Sequence, residues 1–123
     1  MSNGVEVLIV DDDENIRWAI QEVLSLGNIE CKSASSGDEA LSLIEKTNPS
    51  LAVLDLRLGP INGVQVAERM FKIKKDIKFL FVTGQAEMLK KKSLDYLPVV
   101  GILNKPFNIV ELLEKVKESL DSD

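Results

Sequence analysis

An aspartate at the end of a buried strand, Asp55, is the residue of this sequence with the clearest capacity for chemistry. The four apolar residues Leu51–Leu54 lead directly into it, and a loop containing Gly59 and Pro60 follows. A short apolar run with turn residues behind it predicts a strand that is buried on both faces. An ionised carboxylate at the end of such a strand is costly unless a positive group meets it. The sequence is therefore expected to place a cation beside Asp55.

Four further polar residues follow other apolar runs in the same way. Asp11 and Asp12 come after the first predicted strand. Thr83 comes at the end of the fourth, and Lys105 follows the fifth. In an open parallel sheet, ligands bind beyond the carboxyl ends of the strands, at the point where the strand order reverses.

Three carboxylates gathered there would repel one another, and Mg²⁺ relieves this because it prefers oxygen ligands, phosphate included. With the metal bound, Asp55 stays ionised as a nucleophile, Lys105 pairs with it, and Thr83 donates a hydrogen bond. These are the groups that phosphoryl transfer requires.

The composition indicates one acidic globular domain. With 123 residues, 45% hydrophobic and 28% charged, the chain can bury a core of its own. A net charge of −5 gives no reason to expect nucleic acid or an anionic membrane as a direct partner. The single cysteine, Cys31, is expected to be a small core residue in a reducing compartment, the cytoplasm. The sequence has no histidine, and we see neither a signal peptide before residue 5 nor a membrane span.

The apolar periodicity predicts five strands that alternate with five helices. The predicted strands are Val5–Val10, Ile29–Ser33, Leu51–Leu54, Ile77–Val82 and Val99–Leu103. The predicted helices run from about residue 14 to Gly27, from Ser36 to about Lys46, onward from Asn62-Gly63, from Gln85 to Leu94, and onward from Asn108. This alternation predicts a single α/β domain over residues 1–123, a doubly wound five-stranded parallel sheet of flavodoxin-like order 2-1-3-4-5.

Several surface assignments follow from the helical periodicity. Arg17, Gln21 and Glu22 are expected to face water on the first helix. Ile109 is expected to belong to the apolar stripe of the last helix. The triplet Lys90–Lys92 is interpreted as a solvated helix face in preference to a partner-docking patch.

Four short motifs, in order and spacing, resemble those of the response-regulator receiver domain of two-component signalling. They are Val10-Asp11-Asp12, Asp55 with Gly63 eight residues on, Val82-Thr83-Gly84 and Lys105-Pro106-Phe107. Each motif is weak alone, but together they are specific, and the match covers essentially the whole chain.

The resemblance implies a role for each of these residues. Asp55 is the phospho-acceptor, and Asp11 and Asp12 hold Mg²⁺ together with Asp55 and the backbone carbonyl of Arg57. Thr83 and Lys105 contact the phosphoryl group.

The resemblance also implies a switch. Thr83 is its first member, and the second is the position three before the lysine, where this chain has Ile102. The face formed by the fourth helix, the fifth strand and the fifth helix would then change on phosphorylation. Arg57 and Gln85, two residues past Asp55 and Thr83, are hypothesised to gate the access of water to the phosphoryl group.

The resemblance further implies partners. The phosphoryl donor is a histidine kinase or a phosphotransfer protein acting in trans, since the chain has no histidine of its own. The output passes to a downstream protein target or to an output domain outside this sequence. Dimerisation through the switching face is expected as well.

Three departures from the receiver pattern stand out in the sequence. Gly59 occupies the usual place of a proline, which here is Pro60, so the loop backbone is expected to differ. Ile102 stands at a position that is often aromatic. The segment Tyr96-Leu97-Pro98 replaces a common Gly-Ala pair before the fifth strand.

Two other functions compete with the phosphorylation switch. The first is a protein-interaction module on the same fold that no longer depends on phosphorylation, an idea motivated by Pro60 and Ile102. The second is a Mg²⁺-dependent phosphohydrolase with an aspartyl intermediate. Arg57 stands where such an enzyme would be expected to carry its acid–base carboxylate, and the chain leaves no room for a cap.

Overall fold

Five parallel strands alternate with five helices along the chain. The computed structural model describes residues 5–121. The strands are β1 (Val7–Val10), β2 (Cys31–Ala34), β3 (Leu51–Leu54), β4 (Lys78–Thr83) and β5 (Val99–Asn104). The helices are α1 (Glu14–Leu26), α2 (Gly37–Thr47), α3 (Gly63–Ile73), α4 (Ala86–Lys90) and α5 (Ile109–Asp121). The strands pair in the order β2-β1-β3-β4-β5, which confirms the predicted doubly wound sheet.

The sheet divides the core into two layers because successive side chains of a strand point to opposite faces. Leu8 and Val10 of β1 pack in the layer under α2 and α3, whereas Val7 and Ile9 pack under α1 and α5. Every residue of β1 and β3 is buried. This explains why both strands are apolar throughout instead of alternating with polar residues.

Side chains that cap the helices fix where each one begins. Asp13, Ser36, Asn62 and Asn108 each accept a hydrogen bond from a backbone N–H in the first turn of α1, α2, α3 and α5, respectively. Such caps satisfy donors that have no partner inside the helix. The predicted starts of these helices therefore agree with the structure to within a residue or two.

The predicted end of the fourth helix was wrong. It ends at Lys90, four residues before the predicted end at Leu94. Ala86 and Leu89 are its only buried side chains, and Gln85 makes no capping hydrogen bond through its side chain. A helix this short draws its stability from packing, and two buried side chains cover about one turn.

The remaining corrections are small. β1 begins at Val7, two residues after the predicted Val5, and β2 runs from Cys31 to Ala34 instead of Ile29 to Ser33. Ile109 is 54% exposed and so lies off the buried stripe of α5. Between residues 5 and 121, no helix has both the length and the apolar character needed to cross a bilayer. The segment before residue 5 lies outside the described residues, and the expectation about a signal peptide with it.

Candidate functional site

The pairing of β1 with β3 brings two of the predicted carboxylates side by side. Val10 is the register partner of Leu54, and the backbone N–H of Asp55 donates to the carbonyl of Val10 over 3.0 Å. Asp11 and Asp55 therefore leave the sheet at the same level. They are 2% and 7% exposed, so both carboxylates lie in a poorly hydrated place.

The ammonium of Lys105 meets both carboxylates. Its Nζ lies 2.7 Å from Oδ2 of Asp11 and 3.3 Å from Oδ2 of Asp55. The backbone N–H of Lys105 donates to the carbonyl of Thr83 over 3.0 Å, which ties the lysine to the end of β4. The predicted contact between Lys105 and Asp55 is present, but the shorter ion pair is with Asp11.

Burial and charge shift the pKa values of Asp11 and Lys105 in opposite directions. Burial raises the pKa of Asp11, and the hydrogen bonds from Lys105 and from the backbone of Asp13 only partly offset the rise. For Lys105, burial alone would lower the pKa, but the carboxylates of Asp11 and Asp55 together raise it above its ordinary value. The lysine therefore stays positively charged beside a carboxylate that is costly to ionise.

The third predicted carboxylate, Asp12, completes a cluster that fits a divalent metal ion. One carboxylate oxygen from each of Asp11, Asp12 and Asp55 can be chosen so that all three lie within 4.8 Å of one another. Asp12 is exposed, whereas the other two are buried, so the cluster opens to solvent on the Asp12 side. Three carboxylate oxygens form the hard donor set that Mg²⁺ or Ca²⁺ prefers over softer metals.

Two residues of α1 make side-chain hydrogen bonds that the sequence did not suggest, and one of these bonds is to the backbone of the cluster residue Asp11. Nη1 of Arg17 donates to the backbone carbonyl of Asp11 over 2.7 Å, and Arg17 is half-buried. Gln21 is half-buried as well, and its Nε2 donates to Oγ of Ser33. The prediction that Arg17 and Gln21 face water was wrong. The detectable signal is the spacing, since both lie on the helix stripe that starts at the Asp13 cap and recurs every four residues.

Gly63 at the start of α3 fits against the backbone of Asp55. A Cβ atom at this position would lie 2.2 Å from the carbonyl oxygen of Asp55, far inside van der Waals contact. The N–H of Gly63 donates to the carbonyl of Leu56 over 2.7 Å. The spacing of eight residues between Asp55 and Gly63 thus has a steric reason, because only glycine allows α3 to approach the strand end so closely.

The other predicted residues border the carboxylates. Thr83 is fully buried, and its Oγ1 accepts a hydrogen bond from the backbone N–H of Gln85 over 3.1 Å. A cavity of about 470 Å³ opens beside the cluster. Asp12, Arg57 and Gln85 all line it. The structure therefore brings together every residue predicted for the site except Ile102, which lies within β5, three residues before Lys105.

The comparisons with known proteins agree with this geometry. The sequence model of the family described as response regulator receiver domain matches residues 7–117. The chain belongs to this family. It is a receiver domain of two-component signalling and not a classical enzyme.

Individual relatives and solved structures resemble this receiver domain over most of its length. It is 30% identical to sporulation initiation phosphotransferase F of Bacillus subtilis, with 94% of this chain and 93% of that protein covered. The crystal structure of response regulator protein TrrA from Thermotoga maritima in complex with Mg(2+)-BeF is 34% identical, has a TM-score of 0.82, and covers 94% of this chain and 98% of that one. A CheY-like receiver domain protein from Methanospirillum hungatei is 31% identical with a TM-score of 0.81, covering 95% of this chain and 94% of that one.

Other relatives are longer than this receiver domain. Sensor kinase CckA of Brucella abortus is 31% identical over 123 aligned residues, which represent 13% of its length. The response regulator MprA of Mycobacterium is 30% identical, and the chain spans 50% of it.

The departures from the receiver pattern have a visible structural basis. Gly59, at the usual place of the proline, has a φ of +95°, a conformation that favours glycine and that proline cannot adopt. Leu97 is buried, and the carbonyl of Pro98 accepts the N–H of Phe79, which joins the unusual Tyr96–Pro98 segment to β4. Ile102 is half-buried and packs against the core layer under α2 and α3.

Proposed function

We propose that Asp55 accepts a phosphoryl group from a histidine kinase or a phosphotransfer protein, and that the domain itself catalyses this transfer. One observation carries the proposal. Asp55 is a nearly buried carboxylate whose cation, Lys105, is shared with a second carboxylate. An oxygen of Asp55 would attack the phosphorus, and the nitrogen of the donor histidine would leave with the electron pair of the broken P–N bond.

Lys105 and Thr83 are proposed to stabilise the transferred group. The ammonium of Lys105 already lies within 3.3 Å of Asp55, so it can neutralise part of the charge on the phosphoryl oxygens without a large movement. Thr83 is the last residue of β4. Among residues 5–121 its hydroxyl accepts a hydrogen bond only from the backbone N–H of Gln85, so its own hydrogen remains available to donate.

Asp11, Asp12 and Asp55 would hold Mg²⁺ together with the backbone carbonyl of Arg57. Their donor set supports this assignment, and the Mg(2+)-BeF complex of TrrA shows that a protein of this family binds the ion. A bound Mg²⁺ supplies charge neutralisation for the carboxylates and for an incoming phosphate. Lys105 alone cannot balance three carboxylates, which is why the metal is part of the proposal.

Phosphorylation is proposed to change the face formed by α4, β5 and α5. A phosphoryl group adds about −1.5 to −2 charges and would attract Thr83 and Lys105, and Ile102 on β5 would follow by repacking. This face would engage a downstream protein target, an output domain or a second copy. We further propose that the receiver unit extends over residues 1–123 and acts in the cytoplasm, where its single cysteine stays reduced.

The test is phosphorylation by a small donor. Incubation with Mg²⁺ and phosphoramidate is expected to add one phosphoryl group, measured as intact mass, and Asp55→Asn is expected to abolish the addition. Chelation of Mg²⁺ should suppress it as well. A parent protein whose mass is unchanged with Mg²⁺ and donor present would refute the proposal.

The same variant, Asp55→Asn, distinguishes the phosphorylation switch from an interaction module that does not need phosphorylation. If a partner protein binds the parent and Asp55→Asn equally with and without donor, the module interpretation is correct. A partner that binds only the phosphorylated parent supports the switch.

A further inference from the structure

Asp11 is held by hydrogen bonds at its side chain and at its backbone. Its Oδ1 accepts the backbone N–H of Asp13 over 2.9 Å, and its Oδ2 accepts the ammonium of Lys105 over 2.7 Å. Its backbone carbonyl accepts Nη1 of Arg17 over 2.7 Å. The first two bonds orient the carboxylate, whereas the bond from Arg17 acts on the peptide group that follows Asp11.

The peptide group that Arg17 binds joins two residues of the acidic cluster. Because a peptide group is planar, the carbonyl of Asp11 and the N–H of Asp12 turn together. The direction of this carbonyl therefore affects how the side chains of Asp11 and Asp12 leave the backbone. In the structure, one oxygen of each of these carboxylates and one of Asp55 lie within 4.8 Å of one another. A rotation of the peptide group would disturb this arrangement.

Arg17 itself has a fixed place on α1. Its backbone N–H donates to the carbonyl of Asp13, the residue that caps the helix. Ile20, Val23 and Leu24 of α1 are buried, which fixes the helix on the sheet. The side chain of Arg17 is half-buried, and its guanidinium is planar and rigid, so little freedom is lost when it forms a hydrogen bond.

The positive charge of Arg17 opposes the effect of its hydrogen bond on a bound cation. A guanidinium near the cluster repels Mg²⁺, but water weakens this repulsion because Arg17 is only half-buried. Its charge also acts on a carboxylate outside the cluster: hydrogen bonds from Ser35 lower the pKa of Glu39, and Arg17 lowers it further. Mg²⁺ requires near-ideal octahedral geometry, so a small misplacement of a ligand is costly. The positioning effect is therefore expected to exceed the repulsion.

We propose that Arg17 is a positioning residue of the magnesium site, which holds the peptide group between Asp11 and Asp12 in the orientation that lets both carboxylates reach one ion. The inference rests on the proposed Mg²⁺ site. It assigns part of the affinity of that site to a cationic side chain that cannot itself be a ligand of the ion.

The experiment measures the dissociation constant for Mg²⁺ by titration of amide chemical shifts in the full chain. Arg17→Met removes the hydrogen bond and the charge, while methionine keeps an apolar stem and a high helix propensity. Arg17→Lys keeps the charge and a donor. Gln21→Met is the matched control, because it removes a side-chain hydrogen bond one turn along the same face of α1, where the acceptor is Ser33 and not Asp11. The amide spectrum of each variant without Mg²⁺ checks that it is folded.

Arg17→Met is expected to weaken Mg²⁺ binding about tenfold, although it removes a positive charge near the site. Arg17→Lys is expected to recover most of the affinity, and Gln21→Met to leave the dissociation constant unchanged. Without the metal, the amide ¹⁵N resonance of Asp12 should shift in Arg17→Met and keep its position in Gln21→Met, since this nitrogen belongs to the peptide group that Arg17 binds.

Unchanged or tighter Mg²⁺ binding in Arg17→Met would overturn the inference, because loss of the charge alone predicts tighter binding. An equal loss of affinity in Gln21→Met, or no recovery in Arg17→Lys, would overturn it as well. Each of these outcomes leaves the proposed function intact, since the parent still binds the ion. A parent that does not bind Mg²⁺ would overturn the inference together with the proposed metal site.

Discussion

The centre of the sheet and its β5 edge differ in how firmly they are packed. Strands β1 and β3, which carry Asp11 and Asp55, are buried at every residue. Strand β5 is half-buried at four of its six positions, and the neighbouring helix α4 has only five residues. We refer to residues 86–104 as the α4–β5 region. The carboxylates thus stand on the most tightly packed strands, and the region proposed to respond to them is loosely packed.

This difference in packing determines which part of the domain can rearrange. Local opening costs least where few apolar groups are buried, so the α4–β5 region can change arrangement while the central strands hold their geometry. Lys105 follows β5 directly, and its backbone bonds to Thr83 at the end of β4. A displacement of Lys105 would therefore act directly on the loosely packed strand β5.

The largest effect is expected for a substitution on β4, compared with the same substitution at its register partner on β5. Phe81 on β4 is fully buried and is the register partner of Ile102 on β5, which is half-buried. Phe81→Ala should cost about 4 kcal/mol in the free energy of unfolding, because it leaves a large cavity. Ile102→Ala should cost about 1 kcal/mol, since much of its surface is already hydrated. Urea unfolding measures both, and equal losses would show that the α4–β5 region is as firmly packed as the central strands.

The close approach of α3 to Asp55 gives the next largest effect. Gly63→Ala introduces a Cβ atom 2.2 Å from the carbonyl oxygen of Asp55, so the strand end or the helix has to shift. We expect a loss of about 3 kcal/mol in the free energy of unfolding, as for an overpacked core, and slower phosphorylation of Asp55.

Gly84→Ala is the control for this substitution. Gly84 has nothing within 4 Å of the position of an added Cβ atom. A Gly63→Ala protein with the stability and phosphorylation rate of Gly84→Ala would contradict the steric role of Gly63.

The strands and the polar residues that end them were predictable because they depend on local, periodic features. The apolar runs before Asp11 and Asp55 identify the strands, and the parallel order then places the two residues together. The helix caps were also evident, since each is a polar side chain with its partner two or three residues away. A chain of buried strands leaves few alternatives for where its polar ends lie.

The features that were missed depend on packing and on backbone acceptors, which residue type and periodicity do not reveal. The length of α4 is decided by where its apolar side chains stop packing, and the triplet Lys90–Lys92 has good helix propensity that packing overrides. Arg17 was assigned to solvent because it lies off the apolar stripe of α1, yet it donates to the backbone carbonyl of Asp11 at the end of β1. A carbonyl acceptor leaves no trace in the sequence, so side-chain identity alone could not reveal this contact.

A smaller effect on the free energy of unfolding is expected from Mg²⁺ bound beside the firmly packed strands β1 and β3. If the folded domain binds the ion and the unfolded chain does not, Mg²⁺ should raise the free energy of unfolding by about 1.4 to 2.7 kcal/mol at ten to a hundred times its dissociation constant. Asp12→Asn should remove most of this gain, and Asp12 is exposed, so the substitution leaves no buried unpaired group.

Asp13→Asn is the matched control for the metal. It removes one negative charge from the next position and keeps a residue that caps α1 equally well. Identical Mg²⁺ responses of the two variants would mean that the ion screens the acidic surface in general and has no site at Asp12.

The smallest effect concerns a side-chain contact between the α4–β5 region and α3. The hydroxyl of Tyr96 donates to a carboxylate oxygen of Glu68, and this hydrogen bond raises the pKa of Tyr96 above its ordinary value of 10.0. A raised pKa means that the contact stabilises the fold below pH 10 and that this stabilisation is lost as the pH rises through the folded-state value.

Tyr96 is the only tyrosine of the chain, so the ultraviolet absorbance of tyrosinate reports its titration alone. The midpoint should lie above 10.0 in the parent and fall in Glu68→Gln, whereas Glu87→Gln, on α4, should leave it unchanged. A parent midpoint at 10.0 would mean that this contact does not persist in solution, and that the loosely packed region is connected to α3 by apolar packing alone.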